Sequence, residues 1–117
     1  MKPEMLLNII VIFIFTSFVF QNDVNLKIEC TVTSFSKEEQ KAEIHIIISG
    51  GTTPFNVFIY DKNNAPWVKN GNPIFQINEQ VNRDFTIELN NIGEGIYYVM
   101  VKDFNELVKV KKFEIKF

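Results

Sequence analysis

Cys30 is the only cysteine and His45 the only histidine in 117 residues. One cysteine excludes an intrachain disulfide, so the fold must be held by packing alone. One histidine excludes a histidine cluster, a zinc site built from several imidazoles, and a histidine-based nucleophile pair. Charge of neither sign dominates: 12 Lys+Arg against 14 Asp+Glu leave a formal net charge of -2, which gives no electrostatic footprint for nucleic acid. Gly50-Gly51 precedes no helical pattern and reads as a turn, not a phosphate cradle. Beyond residue 21 no segment offers a sustained helical stripe, and the chain has no linker, repeat or low-complexity tract. No acid, base and nucleophile set converges, so the expectation is a protein that is not an enzyme and carries no cofactor or metal.

What is present is apolar residue, at 46%, with aromatics at 14%. A block of it sits at the start. Residues 5–20 carry no charge and follow Lys2, a thin positive region. As a helix rising about 1.5 Å per residue this run reaches about 24 Å, short of a hydrocarbon core of roughly 30 Å. Residues 1–20 therefore read as a signal peptide. No Ala-x-Ala cleavage pattern occurs, and Phe18-Val19-Phe20 follows the small residues Thr16 and Ser17, so an uncleaved anchor stands as the alternative. Either way the remainder is expected outside the cytoplasm, in the periplasm, on the outer membrane surface or extracellular. Lys2 and Glu4 cancel, so that remainder keeps the charge of the whole. It is large enough for one domain and too small for two.

From residue 25 onward the dominant signal is alternation with period two, the mark of a strand with one buried face. Leu26, Ile28, Cys30 and Val32 alternate with Lys27, Glu29, Thr31 and Thr33, which places Cys30 in the core as a small hydrophobe. A polar turn is expected over 34–41. Ile44, Ile46 and Ile48 then alternate with Glu43, His45 and Ile47, putting His45 on a solvated position. Gly50, Gly51 and Pro54 break that strand. A third strand follows over 55–60, closed by Asp61-Lys62-Asn63-Asn64-Ala65-Pro66. The start of that segment has the oxygen-rich look of a calcium loop but lacks the glycine and the closing glutamate. A short edge strand is expected over 74–77, then strands over 85–89 and 97–102. A last strand over 108–117 carries a phase slip at Lys111-Lys112 that suggests a bulge. Its Lys109, Lys111, Lys112 and Lys116 suit an edge protected against pairing.

Seven short strands at intervals of about ten residues indicate a two-sheet antiparallel sandwich. Glu94-Gly95-Ile96-Tyr97-Tyr98-Val99 narrows this to an immunoglobulin-like all-β fold. Tyr97 stands where a tyrosine corner places its ring, and Val99 where antibody domains carry a disulfide cysteine. Asp103, at the end of that strand, is expected to accept backbone N–H bonds from residues 51–53. If Val57, Ile59, Val99 and Val101 face inward, then Phe58, Tyr60, Tyr98 and Met100 project outward from neighbouring strands, with Trp67 on the adjoining loop. Such a patch is either a partner-binding surface or a face covered by a local loop or the 68–77 segment.

Ile48-Ser49-Gly50-Gly51-Thr52-Thr53-Pro54-Phe55-Asn56-Val57 resembles the "GGTxPY" core of the SprB-type repeats of Bacteroidetes surface adhesins and gliding proteins. Gly95-Ile96-Tyr97-Tyr98-Val99-Met100-Val101-Lys102-Asp103, following Leu89, is similar to that family's "L…G.Y.V.V.D" segment, which related polycystic-kidney-disease-type sandwiches share in part. The likeness covers about residues 28–115, as one copy within a domain of 25–117. Cys30 stands at the family's first cysteine, and Leu107 at the second. The resemblance implies a non-catalytic module of a bacterial envelope or surface apparatus, binding envelope or surface proteins; a single copy, where the family has tandem arrays, gives the expectation of a stand-alone small subunit or accessory protein. Two other readings are a membrane-tethered structural subunit, held only through the N-terminal segment, and a carbohydrate-binding sandwich stacking a glycan on Trp67, Tyr60 and Tyr98.

Overall fold

The structure, a computed structural model, describes residues 25–68 and 71–116. The N-terminal segment read as a signal peptide or anchor, and Phe117, lie outside the described residues. Seven strands follow in order: β1 Lys27–Ser36, β2 Lys41–Ser49, β3 Phe55–Asp61, β4 Phe75–Gln80, β5 Asp84–Asn90, β6 Gly95–Lys102 and β7 Val108–Ile115. They form two antiparallel sheets, β1-β2-β5 and β4-β3-β6-β7. This is an immunoglobulin-like sandwich, as the alternation predicts.

The core lies between the sheets and comes from the inward phase of every strand. Ile44, Ile46, Phe55, Val57, Ile59, Val99, Val101 and Ile115 are all 0% exposed. Burying an aliphatic side chain of this size stabilises by about 1.5–3 kcal/mol, so this apolar layer does the work a disulfide does in antibody domains. The crossings between sheets fall at the glycines and polar turns. Gly50 and Gly51 both adopt positive φ, at 72° and 68°. A Cβ on Gly50 would lie 1.8 Å from the Asn25 carbonyl oxygen, so no side chain fits there.

Three departures from the sequence expectation bear on the two faces and edges of the sandwich. β1 runs on to Ser36 instead of turning at Ser34, because a bulge between Val32 and Ser34 resets its phase against β2. The edge strand β4 begins at Phe75 and continues to Gln80, with Glu79 in the left-handed region where Asn56 Oδ1 accepts its backbone N–H. β7 has no bulge at Lys111-Lys112: its register with β6 is continuous from Val108 to Ile115. The phase slip therefore changes which residues face in. Phe113 and Ile115 point to the core, Val108 and Val110 join the outer side, and Lys109 and Lys111 take the inward phase at the edge of the sandwich.

Candidate functional site

Residues opposite one another in an antiparallel pair share a face. On the outer side of the four-stranded sheet, Gln76, Phe58, Met100 and Val110 therefore form one row across β4, β3, β6 and β7. Tyr60, Tyr98 and Lys112 form the next, and Asn56, Lys102 and Val108 the one beyond. Phe58, Tyr98 and Met100 are half-buried. Val108 and Val110, at 51% and 37%, are exposed.

The segment that leaves β3 folds back over part of this surface. Asp61 caps it: its Oδ1 accepts N–H bonds from Asn63 and Asn64, both at 2.9 Å. That carboxylate oxygen is thus engaged in a cap on the 3₁₀ turn Lys62–Asn64. Beyond the turn Ala65 is buried, and the Trp67 ring meets Tyr98 edge-on, 4.6 Å between centroids at 73°. Tyr60 and Ala65 are the two buried apolar residues among those described that lie outside the core between the sheets.

Tyr60 departs from the sequence expectation. It does project from the outer face, but at 7% exposure it is not part of the solvent-facing patch; burial pushes its phenol above its ordinary pKa. Covering loop and open surface are both realised, each on a different part of the face. Trp67 is the roof's outermost aromatic, 65% exposed, and Phe58, Tyr98, Met100 and Val110 extend from beneath it toward β7. The surface left open is an apolar strip across β3, β6 and β7, flanked by Lys102 and Lys112.

The remaining residues singled out above gather at the ends of the sandwich. The Tyr97 hydroxyl donates to the Gly93 carbonyl at 2.8 Å, and its ring stacks on Phe113 at 5.7 Å, with Gly95 at φ 151° between them in sequence. Burial raises the Tyr97 phenol above its ordinary range. At the opposite end Asp103 is buried. Its Oδ2 accepts the Thr52 N–H at 2.9 Å, and its Oδ1 accepts those of Asn105 and Leu107 at 2.9 and 2.8 Å. One carboxylate thus ties the Gly50–Pro54 crossover to the β6–β7 hairpin. The Thr53-Pro54 peptide bond in that crossover is cis.

Sequence reasoning missed Arg83, the only arginine of the chain. Its guanidinium donates to the carbonyls of Gly50 and Gly51 and lies over the Phe55 ring, 5.1 Å from its centre. Arg83 and Asp103 therefore clamp the same crossover from two sides. A lone arginine in a polar turn carries no pattern that distinguishes it from a solvated one. His45 has a partner as well: Asp84 Oδ1 lies 2.5 Å from its Nε2 on the outer side of the three-stranded sheet. Cys30 is half-buried and free, its thiol pushed up to about 12 by burial, against a smaller lowering from Lys111. At ordinary pH it stays a protonated thiol and a poor nucleophile.

No protein-family model matches the chain, and no curated protein sequence matches it either.

Proposed function

We propose that this sandwich is a non-catalytic binding or assembly module of a bacterial cell envelope or surface apparatus, of the SprB-repeat type, exported by its N-terminal segment. It engages an envelope or surface protein through the strip Phe58, Tyr98, Met100 and Trp67. The observation that carries the reading is Trp67, two-thirds exposed yet fixed edge-on against Tyr98. A rigid aromatic at the surface supplies contact area at little conformational cost, and Tyr, Trp and Met are enriched where proteins dock. Contiguous apolar area on a soluble monomer marks a surface with a use.

Site-specific photocrosslinking in the producing cells tests this. A photoreactive residue at position 67 should give one discrete protein adduct, whereas the same residue at Thr86, on the polar outer face, should give none. Equal labelling from both positions, or none from position 67, refutes the assignment. A glycan-array signal lost in Trp67→Ala, with no protein adduct, would transfer the same surface to the carbohydrate reading. The mass of the mature protein settles the tether: loss of about twenty residues indicates a cleaved signal peptide, and retention indicates an anchored subunit.

A further inference from the structure

We propose that the cleft between the edges of β1 and β7 is a binding site for a phosphate-bearing ligand, held by the ammonium groups of Lys27, Lys109 and Lys111. The continuous β6–β7 register sets Lys109 opposite Val101 and Lys111 opposite Val99, and both valines are fully buried. The two lysines therefore leave β7 on the side that faces the other sheet. Lys111 acts electrostatically on Cys30 of β1, which places its charge beside that strand independently of the register. Lys27, on the outward phase of β1, lines the same cleft from the edge of that strand. Together with the inward-facing Ile28 the three lysines line a cleft of about 310 Å³.

Lys41, Lys102 and Lys116 each have a carboxylate, from Glu39, Glu106 and Glu114. Among the described residues no carboxylate ion-pairs with Lys27, Lys109 or Lys111. Glu29 is the single acidic residue lining the cleft. A local excess of positive charge thus stands in a chain whose net charge is -2. Inward lysines on an edge strand also deter pairing with another chain. That role accounts for lysines on β7, but not for their grouping around one cleft with Lys27 from the opposite sheet.

The donor type suits a phosphate: an ammonium is a compact charge with three donors and binds phosphate oxygens as a point charge. The chain's one arginine is engaged with Gly50 and Gly51. Ile28 gives the cleft an apolar wall for the carbon skeleton that carries the phosphate. A lipid headgroup and a soluble phosphorylated molecule share this chemistry.

The test uses the full chain, isotope-labelled for NMR in nonionic detergent. It is titrated with inorganic phosphate against chloride at constant ionic strength and, separately, placed in the same micelles doped with phosphatidic acid. Saturable shifts of the Lys27, Ile28, Lys109 and Lys111 amides are expected. A response to free phosphate identifies a soluble source, and a response to phosphatidic acid alone a lipid headgroup; each supports the site. Lys109→Gln with Lys111→Gln should weaken binding about tenfold or more, the worth of one charged hydrogen bond. Lys27→Gln, on the other sheet, should weaken it in the same direction, while Lys62→Gln should leave it unchanged. A well-dispersed spectrum of each variant shows that it folds. No saturable shift in either arm, or equal weakening by Lys62→Gln, overturns the proposal.

Discussion

On the outside of the three-stranded sheet, Glu43, His45 and Thr86, with one apolar residue, Ile47, alternate with the core residues Ile44, Ile46 and Ile87; on the outside of the four-stranded sheet, the corresponding positions hold Phe58, Tyr98 and Met100. Both faces obey the same period of two. The first is finished by its own side chains, since His45 meets Asp84 and the Thr33 hydroxyl donates to the Glu43 carboxylate at 3.0 Å. The second is covered in part: the segment after β3 sets Trp67 on Tyr98 beside the buried Tyr60, and the row Phe58, Met100 and Val110 stays partly exposed. A polar outer face is complete when the strands pair. An apolar one is complete only where another segment, its own or a partner's, lies on it.

The largest effect that would break this contrast is at Tyr60. Tyr60→Ala empties the space beneath the loop and should cost about 3 kcal/mol in urea denaturation, whereas Thr86→Ala, outward on the other sheet, should stay within about 0.5 kcal/mol. Equal costs would mean that the roof contributes nothing. Asp103→Asn comes next: the amide cannot accept all three backbone N–H bonds as a carboxylate does, and the expected loss is about 2 kcal/mol. Calorimetry should show a melting temperature lower by roughly 10 °C, with the position-67 crosslink retained. An unchanged melting temperature would remove the clamp role assigned to Asp103.

Trp67→Ala should cost only about 1 kcal/mol, the value of one aromatic pair, while abolishing partner engagement; a loss of stability as large as that of Tyr60→Ala would make Trp67 a structural cover and not a binding surface. The inner side of the three-stranded sheet provides a test by pH. The Cys30 thiol is raised in the folded state, so above its unfolded value the unfolded chain releases a proton that the folded one keeps. Stability should therefore fall as pH rises from about 9 to 10, by at most about 1 kcal/mol, and Cys30→Ala should flatten that slope. His45→Gln should move stability least, by about 0.5 kcal/mol or less, because its partner Asp84 is an exposed residue.

Much of this molecule can be read along the chain. The alternation of Leu26 to Val32, of Ile44 to Ile48 and of Tyr97 to Val101 marks strands with one buried face, and Gly95 with Tyr97 marks the corner. These features are local, because a period of two is set by the backbone of each strand alone. The candidate surface was legible only in part. Phe58, Tyr98 and Met100 follow from the phase of β3 and β6, but that Tyr60 is roofed while Trp67 is open depends on where the 62–68 segment lands.

The division between sequence and tertiary structure is clearest at Arg83 and on β7. The sequence by itself determined the sandwich, its inward residues and the tyrosine corner, since apolar phase and turn chemistry act over a few residues. Only the folded chain decided that Arg83 closes on Gly50 and Gly51, more than thirty positions earlier. It alone decided that β7 keeps its register, turning Val108 and Val110 outward and Lys109 and Lys111 toward β1. Strand pairing fixes which side of a sheet a residue takes, and pairing is a property of two strands together, so no local pattern within β7 contains it.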